Sequence, residues 1–187
     1  DLLAFHRIAS PQGGTSSVYL LQKYDALYQI LTKKRRGTRI YKQSAEELTK
    51  LDTELQDLLN KVFEKANEFL TKYFNTNIIL GYNYKNISID NHKRMIEQIV
   101  LKVTYFNKEI NDYHSFLNEA RLSALALSLY LASLKLHPKD NLIHRILFLD
   151  DVFIGLDMSN RIPLLEILKK EFVLDGVQIF ITTYDRQ

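Results

Sequence analysis

Ile146-Leu147-Phe148-Leu149-Asp150-Asp151 is the stretch from which the rest of the chain is read. An apolar run ending in two adjacent carboxylates has the form of a buried strand that delivers acids to its carboxyl edge, where open parallel sheets hold phosphate-bearing ligands. Gly155-Leu156-Asp157 follows at short spacing, Asn160 to Phe172 reads as a helix, and Val177 to Ile181 reads as a second strand. Together these predict a βαβ unit with parallel strands and a right-handed connection. The acidic pair matches a Walker B segment, in which Asp150 would bind Mg²⁺ and Asp151 would orient an attacking water. The plainer alternative is that two acids end a strand and open a turn, as Asp often does.

A Walker A loop is not present. The only paired glycines, Gly13-Gly14, lie in Ser10-Pro11-Gln12-Gly13-Gly14-Thr15-Ser16, with no Lys to reach a phosphate. The chain also starts without Met, so the expectation is a piece of something longer, with the phosphate-binding loop upstream. At 187 residues there is room for one domain with a real core, or for a compact lobe with a helical extension. Hydrophobic residues at 46%, charged residues at 25%, and only 6 Gly and 3 Pro predict a folded, helix-rich globular protein. The absence of Cys excludes a disulfide framework and a thiolate metal site, and suits a reducing cytoplasm. No apolar run reaches the roughly 20 residues that span a bilayer, and Asp1 to Arg7 lacks the order of a signal peptide. A cytoplasmic location without membrane insertion is expected.

Helical periodicity dominates the first part. Ser16 or Ser17 is placed to cap a helix through Leu20, Leu21, Tyr24, Leu27, Tyr28 and Leu31 up to Gly37. Ser44 and Glu47 form a capping box, followed by Leu48, Leu51, Leu55, Leu58, Val62, Ala66, Phe69 and Tyr73, a seam of about four heptads. Such a seam serves a helical bundle or a protruding coiled coil equally well. Residues 1–75 are therefore assigned to a helical hairpin or the base of a coiled-coil arm, and residues 76–187 to an α/β lobe. Past Asn75 the period becomes two, through Ile78, Leu80, Tyr82 and Tyr84 and again from Ile99 to Tyr105, which predicts antiparallel strands with a turn near Asn107-Lys108. From Asn118 to about Leu136 a helix returns, apolar nearly all round.

The net charge of +3 is modest, but Lys33-Lys34-Arg35-Arg36 is concentrated. Such a cluster would neutralise phosphates in a salt-sensitive way, or else form a solvated helix end with Gly37 as its C-cap. The 5 His show no metal-ligand spacing, and no Ser sits in a nucleophile elbow.

In the order helix, acidic strand end, short loop and final strand, the chain resembles the C-terminal lobe of SMC-like ABC ATPases, a group that includes RecF- and RecN-type DNA-repair proteins and related anti-phage defence ATPases. Glu119-Ala120-Arg121-Leu122-Ser123-Ala124-Leu125-Ala126-Leu127 is similar to the end of the family's signature motif and its helix, and Gly155-Leu156-Asp157 to its D-loop. The resemblance runs from about Asn75 to the end. It implies a P-loop NTPase lobe, and ATP and Mg²⁺ as ligands. It also implies a Walker A lobe from the same or a sister chain, a homodimer of heads, and double-stranded DNA as partner. On the matching positions it implies nucleotide contacts at Ser115, Asn118, Glu119 and Asp157, metal binding at Asp150, and catalytic roles for Asp151 and Tyr184. Lys33, Lys34, Arg35 and Arg36 are the candidate DNA contacts.

Three positions depart from the family pattern. Ser115-Phe116-Leu117-Asn118 replaces the Leu-Ser-Gly-Gly before Glu119, Asp151 stands where Glu is usual, and Tyr184 stands where a switch histidine is expected. Asp is one methylene shorter than Glu, which predicts slow turnover. The competing expectation is a non-catalytic scaffold that associates through the Leu48 to Tyr73 seam. A nuclease is disfavoured, because the further carboxylates of a two-metal site are missing.

Overall fold

The computed structural model describes residues 39–89, 95–136, 145–153 and 156–183. The protein is a mixed α/β chain with an antiparallel three-stranded sheet and a parallel two-stranded sheet. It divides into two compact units. One takes the described residues up to Asn60 with Tyr82–Leu101, and the other takes Lys61–Gly81 with the described residues from Lys102 on.

Helix α1 spans Arg39–Lys72. The chain is already helical five residues before Ser44, where the capping box placed its start. Helix-forming residues between Arg39 and Lys50 outweigh one local capping signal. Leu51, Leu55, Leu59, Val62, Phe63, Ala66, Phe69 and Leu70 are all buried. This stripe is wider than a two-position seam and fits a helix packed on a core. The helix ends where Asn75 takes a left-handed φ of 49°, which Asn tolerates, and the Thr76 N–H closes on the Leu70 carbonyl at 3.1 Å.

The three-stranded sheet has the order β1-β2-β3, with β1 at Ile78–Ile89, β2 at Met95–Tyr105 and β3 at Lys108–Ile110. The turn between β2 and β3 is Phe106-Asn107, one residue earlier than the sequence suggested. Both residues have positive φ, 48° and 63°, as a two-residue hairpin turn requires. Asn67 of α1 pairs with this sheet like an extra strand residue: its amide accepts from the Leu80 N–H at 2.7 Å and donates to the Leu80 carbonyl at 2.8 Å. A buried polar side chain that satisfies both groups of one backbone residue fixes where the helix meets the strand.

Short helix α2, Tyr113–Phe116, leads to α3, Glu119–Lys135. Strand β4, Arg145–Leu149, pairs in parallel with β5, Val177–Ile181, in the register Arg145↔Val177 through Leu149↔Ile181. Between them run α4, Met158–Ile167, a π-helical stretch Leu168–Phe172 and a 3₁₀ turn Val173–Asp175 that ends at Gly176 with φ 81°. Leu131, Leu164 and Ile167 are fully buried where α3 and α4 pack. The helix α3 is less enclosed than its sequence suggested, since Ala126 is exposed. Among the described residues no helix is long and apolar enough to cross a membrane.

Candidate functional site

Parallel pairing fixes what surrounds the acidic pair. Because Leu149 and Ile181 are in register, the next residues on the two strands meet, and the Thr182 N–H donates to the Leu149 carbonyl at 3.0 Å. The Asp151 N–H then donates to both the carbonyl and the Oγ1 of Thr182, each at 3.2 Å. The Thr182 hydroxyl in turn donates to Oδ1 of Asp150. A single threonine thus orients the exposed Asp150 carboxylate and anchors the backbone of Asp151. Its role follows from the register, a signal that the sequence carries only once β4 and β5 are known to be parallel.

Asp151 itself is held in the left-handed region, φ 50°. Its Oδ1 is buried and makes no hydrogen bond among the described residues. Backbone strain and an unpaired buried oxygen are both unfavourable, and their coincidence on one residue is typical of a site kept for function. An oxygen in this state is fit to accept from a water or to face a cation. Among the described residues no group of three or more metal-ligating side chains is gathered. The pair suits Mg²⁺ nonetheless, since that ion is usually held by one or two carboxylates, with waters and substrate phosphates completing its octahedron.

The signature-like segment has a simpler local architecture. Asn118 caps α3, its Oδ1 accepting from the Arg121 N–H at 3.0 Å. Glu119 lies exposed in the first turn. Ser115 sits in α2, its N–H bonded to Oδ1 of Asp112 at 3.3 Å. The guanidinium of Arg121 lies 4.9 Å over the ring of Tyr105.

Asp157 caps α4, accepting from the N–H and the hydroxyl of Ser159 at 2.9 and 2.8 Å. Those bonds, with the charge of Arg161, hold its carboxyl below the usual range. The capping roles of Asn118 and Asp157 account for both residues locally. Asn160 joins the two helices, its amide donating to the Ala120 carbonyl at 2.6 Å. Sequence reasoning did not single out Thr182, Asn160 or Arg161. Tyr184 and the Lys33 to Arg36 cluster lie outside the described residues, as does Gly155.

No protein-family model matches this sequence, and no curated protein is similar to it at a significant level.

Proposed function

We propose that this chain is the C-terminal lobe of an SMC-like ABC ATPase head, which acts on MgATP together with a Walker A lobe. What carries the reading is the Asp150-Asp151 pair at the carboxyl end of a parallel strand, with Asp151 strained and its Oδ1 buried without a partner. In such a site Mg²⁺ bridges phosphate oxygens and offsets the charge that develops on them. Asp150, steadied by Thr182, holds the metal or its waters. Asp151 accepts a hydrogen bond from the attacking water and orients it toward the γ-phosphate. Asn118 and Glu119 face the nucleotide of the opposing head, and Tyr184 donates to it from the end of the last strand. Heads pair around ATP, hydrolysis releases them, and double-stranded DNA is the partner whose binding is coupled to that cycle.

A second observation supports a missing lobe. Ile146, Phe148 and Phe180 are exposed on the β4-β5 sheet at 62%, 60% and 43%, with the two Phe rings stacked at 6.4 Å between centroids. Parallel sheets are covered on both faces almost without exception, so this apolar surface suits burial under a further α/β layer.

The test is MgATP turnover by this chain alone and mixed with a Walker A-bearing lobe from the same coding region, with Asp151→Asn as control. Turnover in the mixture, reduced by roughly a hundredfold or more in the variant, is the expected outcome for loss of a water-orienting acid. No turnover and no ATP-dependent association in either arrangement would overturn the reading in favour of an interaction scaffold.

A further inference from the structure

Asn160 and Arg161 are consecutive residues of α4 whose side chains grip different parts of the lobe. Asn160 is 7% exposed and donates to the Ala120 carbonyl in the first turn of α3. Arg161 donates from Nε to the Leu156 carbonyl at 3.2 Å and from Nη2 to the Phe153 carbonyl at 3.0 Å. Phe153 is two residues from Asp151, and Leu156 precedes the capping Asp157. A continuous set of hydrogen bonds therefore runs from the start of α3, through one turn of α4, to the loop that follows the acidic pair. The Ala120 carbonyl lies inside α3, where the helix supplies its own backbone partners. The bond from Asn160 is thus additional to the fold's needs at the carbonyl, although it satisfies the buried amide.

We propose that Asn160 is a positioning residue, with Arg161 as its relay. Together they fix the loop after Asp150-Asp151 relative to the first turn of α3, so that whatever engages the start of α3 also sets the placement of the two carboxylates. The inference rests on the ATPase reading above and deepens it, by giving the signature-like segment a route to the water-orienting acid. Neither side chain touches the reacting atoms. Both act on the carbonyls of Ala120, Phe153 and Leu156, which substitutions elsewhere leave in place.

The experiment uses the full chain with its Walker A lobe and MgATP as the probe. Asn160→Ala removes the link to α3, while Arg161→Met keeps most of the aliphatic length but loses both carbonyl bonds. Each variant is expected to lower kcat by roughly tenfold while KM for MgATP stays within about twofold, the pattern of an interaction felt in the transition state. Amide exchange supplies the readout that a packing role would not move. In the wild type, MgATP should protect residues 119–123 and 156–160 together. In Asn160→Ala the protection should persist at 119–123 and vanish at 156–160.

If MgATP still protects both segments in Asn160→Ala, or if kcat is unchanged, the coupling is refuted while the ATPase reading stands. Should activity instead fall only in proportion to lost folded protein, Asn160 is a packing residue and the inference fails. A wild type without turnover or ATP protection in either segment overturns the ATPase reading, and this inference with it.

Discussion

Replacing Asp151 should make the protein more stable and less active at once. Holding a side chain-bearing residue in the left-handed region costs about 1–2 kcal/mol, and Asp sits at the lower end because its short polar side chain tolerates it. The unpaired, buried Oδ1 adds a desolvation cost of about 1–3 kcal/mol. Asp151→Gly removes both, offset by about 0.5–1 kcal/mol for the freedom glycine gains in the unfolded chain. Asp151→Asn keeps the shape, suits the left-handed backbone, and removes the charge. Each variant is therefore expected to gain about 1–2 kcal/mol, or about 3–6 °C in Tm for a chain of this length. Denaturant midpoints and thermal melts of wild type, Asp151→Asn and Asp151→Gly measure this directly. A functional site built at the expense of stability gives higher midpoints together with lost turnover. Midpoints at or below the wild-type value in both variants would refute the strain argument, and with it the main structural support for a special role of Asp151.

Glu171 makes a different prediction. It accepts from the Tyr73 hydroxyl at 2.8 Å and lies 3.1, 3.6 and 3.9 Å from the ammonium groups of Lys65, Lys72 and Lys135. Burial opposes its ionisation, but the hydrogen bonds from Tyr73 and Lys65 and the neighbouring Lys charges outweigh burial and hold its pKa below the ordinary 4.5. A depressed carboxyl contributes stability that is present above the unfolded value and lost as pH falls through the folded one. Glu171→Gln should thus cost about 1–2 kcal/mol near pH 7 and progressively less below about pH 4. Equal penalties at pH 7 and pH 3 would show that the carboxylate charge is irrelevant. For the basic cluster, replacing Lys33, Lys34, Arg35 and Arg36 with Gln should flatten the log–log salt dependence of DNA binding by about three to four units if each contacts a phosphate. An unchanged slope would make the cluster a solvated helix end.

Strands β4 and β5 and the Asn118 cap were legible because each depends on a local pattern, an apolar run or a single polar residue before a helical period. Thr182 was not, since its bonds to Asp150 and Asp151 exist only through the parallel register of strands far apart in sequence. The left-handed backbone at Asp151 is similarly a product of the turn that β5 closes on β4. Asn160 was read as the first residue of a helix that in fact begins at Met158 with Asp157 as cap, and this hid its inward position. The surroundings of Glu171 come from Tyr73, 98 positions away, and no periodicity announces such a contact. The start of α1 was misplaced because a capping box states that a helix is able to begin there, without forbidding helix before it.

The π-helical stretch Leu168–Phe172 has a consequence for how this lobe tolerates length variation. A π turn accommodates what amounts to one extra residue in an otherwise α-helical path. Deleting a single residue within Leu168–Lys170 would let the backbone relax to ordinary α geometry, so a helix would survive. Every later side chain would swing around the axis by about 100°, and the carboxylate now at position 171 would leave its cluster of lysines. The segment is therefore permissive toward a one-residue deletion as backbone and intolerant of it as chemistry, so its length is held by one glutamate rather than by the helix.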